Sequence, residues 1–125
     1  NLFFFFHFFN NDDYLSKSKQ MLINVETDAQ RNIYFYANWG MLQALFTSPL
    51  YEVAILGEDF ENKRQQFDEH YLPNLILLGG KTEGNLTLLE QKLLRGQTTI
   101  YVCRDKTCDL PVSEVQQALQ QIRKA

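Results

Sequence analysis

The hydrophobic rhythm of the chain changes once, near residue 50. The first half opens on a nearly unbroken apolar run, Leu2-Phe3-Phe4-Phe5-Phe6-His7-Phe8-Phe9. A membrane span needs about 20 apolar residues, and this run stops at Asn10. It has neither the basic leader nor the small-residue cleavage site of a signal peptide. The run fits a helix buried on most sides within a larger body, and left bare it would be an aggregation hazard. Its abruptness and the missing initiator Met predict a piece of a longer polypeptide. Either self-association through this segment or its tucking against the rest of the chain is expected. From Asn10 to Phe46 the period is helical. Asn11, Asp12 and Asp13 supply N-cap oxygens, and Tyr14, Leu15, Met21, Leu22 and Val25 fall on one face. A polar break over Glu26 to Asn32 precedes a second stripe of Tyr34, Ala37, Met41 and Leu45, with Leu42 and Phe46 beside it. Ser48-Pro49 ends that helix, because Pro lacks the N–H and pushes its predecessor out of the α region.

From Tyr51 onward short apolar runs take over: Val53 to Leu56, Asn74 to Leu78 and Thr98 to Cys103. Runs of four to six without alternation predict strands covered on both faces, hence parallel pairing. Between the first two lies a predicted helix from Asp59 to Tyr71, with Asp59 as N-cap and Phe60, Phe67 and Tyr71 toward the sheet. Between the second and third, Leu86, Leu89, Leu93 and Leu94 predict a helix over Asn85 to Arg95, stopped by Gly96. Pro111 and Ser113 open a last helix with Val115, Leu119 and Ile122 inward. The expected architecture is α/β. Helical hairpins fill residues 1–50, and a small three-stranded parallel Rossmann-like sheet with flanking helices fills residues 51–125.

Composition narrows the possible functions. With 45% hydrophobic residues the chain can fold, so disordered and collagen-like classes are excluded. Two cysteines cannot staple a disulfide miniprotein. The net charge of −3 and the lack of a basic run argue against a nucleic-acid partner, and no segment predicts a membrane partner. No catalytic, cofactor-binding or metal-ligating set emerges. Gly79-Gly80-Lys81-Thr82-Glu83-Gly84 stands where phosphate loops stand, but it matches no phosphate-loop spacing and Glu83 would repel the anion, so it is read as a turn. Glu58, Asp59 and Glu61 crowd the end of the first strand, where they suit the helix dipole better than acid–base work. His70 is read as a surface or helix-end residue. Cys103 and Cys108 are spaced C-x4-C. Zinc would need four ligands, and only the distant His7 and His70 remain. A loop-closing disulfide, a redox pair and two ordinary thiols stay open, with reduced thiols favoured by a cytoplasmic setting. Trp39, in an aromatic stretch with Tyr34, Phe35 and Tyr36, suits helix packing better than stacking on a sugar.

Three segments carry a family resemblance. They are Ser48-Pro49-Leu50-Tyr51-Glu52-Val53-Ala54-Ile55-Leu56-Gly57, Leu72-Pro73-Asn74, and above all Ile100-Tyr101-Val102-Cys103-Arg104-Asp105-Lys106-Thr107-Cys108-Asp109-Leu110-Pro111-Val112. Through them nearly the whole chain resembles the C-terminal end of the long thioredoxin-domain-containing proteins, the spermatogenesis-associated protein 20-like family. The resemblance implies an upstream thioredoxin-like domain, then an α/α toroid similar to six-hairpin glycosidases. The present chain would supply the last hairpins of that toroid and a C-terminal tail. The upstream domains of the same polypeptide are then its partners. The family's C-x-x-C motif has no counterpart here, so no catalytic residue and no cofactor is carried over, although the C-x4-C pair fits the family pattern. Phe5-Phe6 depart from it. Three roles follow as expectations: a non-catalytic C-terminal module, a contribution to a carbohydrate cavity with Tyr36 and Trp39 as wall residues, or an auxiliary redox pair at Cys103 and Cys108.

Overall fold

The computed structural model describes residues 2–48 and 50–123. The chain is mixed α/β and divides into two compact units, residues 1–49 and 50–125.

Among its described residues the first unit holds three helices, α1 (Leu2–Phe9), α2 (Asp12–Arg31) and α3 (Ala37–Thr47). Asn10 turns the chain between the first two with a φ of 50°, a conformation Asn tolerates better than most residues. The Asn11 side chain then accepts a hydrogen bond from the Asp13 N–H at 3.0 Å, capping α2 as its sequence predicts. Phe3 is the buried anchor of α1, its ring edge-on to Phe46 of α3 at 5.0 Å, and Phe5 meets Tyr14 of α2 at 5.8 Å.

Two expectations need correction here. The polar stretch from Glu26 to Arg31 continues α2, since a solvated face needs helix formers rather than apolar residues. Ile33 to Tyr36 form a turn before α3, which leaves Tyr34 and Phe35 93% and 86% exposed rather than in a stripe. Met41 is exposed as well, and Leu42 alone is fully buried on α3. Ser48 carries the C-cap of α3, and Pro49, expected to end that helix, lies outside the described residues.

The second unit runs β1 (Tyr51–Leu56), α4 (Phe60–Asp68), β2 (Leu75–Gly80), a 3₁₀ turn (Thr87–Leu89), β3 (Thr99–Arg104), β4 (Thr107–Cys108) and α5 (Val115–Arg123). The three-stranded parallel sheet expected from the sequence is instead four-stranded and mixed, in the order β2-β1-β3-β4. Only β1 and β2 are parallel, joined through α4; β3 runs antiparallel to β1, and β4 antiparallel to β3. An apolar run announces burial on both faces but says nothing about direction.

All six residues of β1 are buried, as expected of the central strand. Tyr51, Val53 and Ile55 face Phe67 of α4 and Val115, Ala118, Leu119 and Ile122 of α5, together with Ile100 and Val102 of β3. Burying a side chain such as Phe67 contributes about 1.5–3 kcal/mol. Tyr71, expected on the sheet side, lies past the end of α4 and is 91% exposed. On the other face Ala54 and Leu56 pack with Leu86 and Leu89. Those leucines do not belong to the predicted helix over Asn85 to Arg95, which is replaced by the 3₁₀ turn and an irregular loop. The Glu83 carboxylate takes the N–H groups of Leu93 (2.7 Å) and Gln91 (3.0 Å), and Gln91 adopts a φ of 57°. Main-chain donors captured in this way cannot serve a helical ladder.

Candidate functional site

At the edge of the second unit, β3 and β4 form a hairpin closed by only two residues, Asp105 and Lys106. Both have positive φ (50° and 66°), the backbone of a type I′ turn, which matches the twist of the flanking strands. Arg104 faces Thr107 and Cys103 faces Cys108 across the ladder. Beyond them the Asp109 N–H donates to the Val102 carbonyl at 2.9 Å. The pairing then slips by one residue, because Ile100 meets Val112 rather than the residue before it. That extra residue is a bulge, and Pro111 sits within it.

Cys103 and Cys108 are joined by a disulfide, with an S–S distance of 2.08 Å. The preference for two reduced thiols is therefore corrected, and the reason is register: a two-residue turn puts positions 103 and 108 directly opposite each other. The two sulfurs live in different surroundings. Cys103 is 1% exposed, whereas Cys108 lies on the exposed edge. Counting alternation along β3, Ile100 and Val102 face α5 while Tyr101 and Cys103 face the other way. Glu52 of β1, itself buried, stands opposite Cys103, so Glu52, Cys103 and Cys108 form one row across three neighbouring strands. On the α5 side a groove of about 460 Å³ is lined by Tyr51, Val102, Cys103, Arg104, Thr107, Asp109 and Gln121, with the Arg104 guanidinium 5.9 Å from the centre of the Tyr51 ring. Cys108 is not among its walls.

The remaining candidates are not brought together. Glu58 pairs with Lys81 at 3.0 Å, and this hydrogen bond, followed by the charge of the same carboxylate, holds the Lys81 ammonium above its ordinary pKa. The Asp59 carboxylate accepts from the Asn62 amide at 3.3 Å and makes no cap bond to the α4 backbone, while Glu61 sits in the first turn of α4. Glu61 also acts on Lys81 through its charge, so this ammonium faces both Glu58 and Glu61. Gly79 and Gly80 lie within β2, and only the short 3₁₀ turn at Thr87–Leu89 follows their loop in place of an α-helix, so no phosphate cradle is built there. Glu83 braces that loop instead. Its carboxyl is held below its ordinary value by the Leu93 and Gln91 N–H groups.

His7 packs against the rings of Phe3 and Phe6 at 5.0 and 4.8 Å. His70 follows α4, with its N–H on the Phe67 carbonyl. Among the described residues no group of three or more His, Cys, Asp or Glu could hold a metal ion. Within the first unit Trp39 lines a groove of about 330 Å³ with Leu2, Ser18, Met21, Asn38 and Leu42, and Tyr36 takes the N-cap position of α3 outside that groove. No helix among the described residues is long and apolar enough to cross a membrane.

The hairpin is the feature that sequence reasoning missed. Asp-Lys is not a preferred type I′ pair, so the turn carried no local signal. No family model matches the chain, and no curated protein or solved structure is similar to it at a significant level.

Proposed function

We propose that the chain is an auxiliary C-terminal module of a larger thioredoxin-domain-containing protein, and that its own chemistry is thiol–disulfide exchange at Cys103 and Cys108. One observation carries the reading: a disulfide directly across a two-residue hairpin, with one sulfur buried and the other on the exposed edge. Disulfides of cytoplasmic proteins are mostly transient and serve catalysis or redox sensing rather than scaffolding, and an exposed disulfide belongs to the labile class. Exchange with a dithiol conserves atoms and electrons. The module gains two electrons and two protons as its disulfide opens, and the dithiol closes to a disulfide. The helices of the first unit, in this reading, are the last hairpins of the parent's α/α toroid.

A redox titration of the whole chain tests the proposal. Aliquots equilibrated across glutathione and dithiothreitol buffers are quenched with an alkylating reagent and counted for free thiols by mass. The expected result is a reversible two-electron transition at a potential within the cytosolic range, absent from the Cys103→Ser, Cys108→Ser variant. A disulfide that resists every buffer until denaturant is added would leave the module a structural role only.

The alternative reading, in which Tyr36 and Trp39 wall a carbohydrate cavity, has weaker support. Trp39 does stand on a groove, but beyond its own indole N–H only Ser18 and Asn38 offer polar side chains along it. Most hydroxyls of a sugar would find no partner there.

A further inference from the structure

Resting on the thiol–disulfide reading above, we propose that the redox partner presents its cysteine on an extended segment pairing with the outer edge of β4 at Cys108. Cys108 Sγ is then the sulfur attacked, and Cys103 is the leaving thiolate.

The hydrogen-bond alternation of the hairpin carries the argument. In an antiparallel ladder, residues facing each other alternate between pairs that exchange both backbone bonds and pairs that exchange none. Beside the two-residue turn, Arg104 and Thr107 are a bonded pair, and the Asp109 N–H on the Val102 carbonyl marks the next one. Cys103 and Cys108 fall between them, in a non-bonded pair. The N–H and C=O of Cys108 therefore point away from β3, toward the open side of β4, which is the last strand of the sheet. An incoming strand whose residue lies opposite Cys108 would exchange both backbone bonds with it, the usual mode of strand addition. Its side chain would project from the same face as Cys108, one strand spacing further out, about 4.8 Å.

If that residue is cysteine, three sulfurs fall in a row perpendicular to the strands. The incoming sulfur reaches Cys108 from the side away from Cys103, in line with the bond to be broken, which displacement at sulfur requires. Cys103, 1% exposed, offers no comparable approach. The bulge before Val112 and Pro111 end the available edge after Asp109, so recognition spans about three residues. A short footprint suits a flexible segment that must leave after reacting. In the first step the partner thiolate bonds to Cys108 Sγ, and the Cys103–Cys108 bond breaks with its electron pair on Cys103 Sγ, which then takes a proton. In the second, another thiolate of the partner attacks the partner's own bonded sulfur. Cys108 leaves as a thiolate and is protonated, and the partner departs as a disulfide.

The test uses the oxidised whole chain and a single-cysteine peptide of strand-forming residues. A second peptide is identical but N-methylated at its cysteine, and dithiothreitol serves as a small reference reductant. Rates are normalised to thiolate concentration, and acid-quenched samples are alkylated and mapped. The expected outcome is peptide on Cys108 and alkyl on Cys103, with the N-methylated peptide slower by roughly threefold to tenfold, the worth of one net backbone hydrogen bond. Peptide attached to Cys103, or equal rates for the two peptides, would overturn the proposal. A pair that dithiothreitol cannot open in the native protein would instead remove the thiol–disulfide reading on which it rests.

Discussion

Two main-chain N–H groups, those of Leu93 and Gln91, converge on one carboxylate, Glu83, at 2.7 and 3.0 Å. Because they favour its ionised form, its pKa in the folded chain lies below the ordinary 4.5. The contribution to stability is thus complete above that value and is lost as the pH falls through the lower, folded one. The amide proton of Leu93 is expected to titrate with a midpoint below 4.5, and Glu83→Gln to abolish the transition; NMR shifts across the acid range decide it. Gly79 makes a second prediction at this scale. A Cβ there would run into the Ile55 carbonyl, in the backbone of the buried central strand. Gly79→Ala should therefore cost about 3 kcal/mol, the upper end of the usual overpacking range, measured by urea denaturation.

Among the elements, the β3–β4 hairpin depends most on its covalent link. Its ladder is two pairs long, its turn places two non-glycine residues at positive φ, and the disulfide closes a loop of only a few residues. Chain entropy for so short a loop is worth about 2 kcal/mol. The Cys103→Ser, Cys108→Ser variant should lose about that much unfolding free energy, and amide exchange should quicken first at Asp109. The other elements differ in how plainly their residues announce them. For β1 and α5 the apolar spacing coincided with the burial that followed, because β1 is covered on both faces and α5 packs one continuous face, whereas α4 ends before Tyr71 and leaves that ring exposed. The segment after Asn85 carries leucines at helical spacing, yet a carboxylate two residues upstream takes the amides a helix would need. Spacing cannot report that competition. Direction was equally hidden: nothing in Thr98 to Cys103 distinguishes a parallel from an antiparallel neighbour. The facing cysteines became legible only through a turn whose Asp-Lys pair lacks the usual Asn-Gly signal.

For the whole molecule, the apolar surface of the first unit is as telling as its core. Ile33, Tyr34 and Phe35 project from one turn, and Met41 is exposed nearby in sequence on α3. Rings so exposed contribute little to folding. Tyr34→Ser with Phe35→Ser should leave the unfolding free energy within about 0.5 kcal/mol, while sedimentation velocity shows weaker concentration-dependent association than the natural chain. The hairpin bears on the whole molecule in a different way. Ladder bonds lie on both sides of the cysteine pair, toward the turn and toward Val102, so opening the sulfur link is expected to loosen the hairpin locally without moving a helix. The oxidised and reduced forms would then share one outline. A partner would have to tell them apart by touching the sulfurs themselves, and the unit, if it exchanges electrons as proposed, would give no sign of its state at a distance.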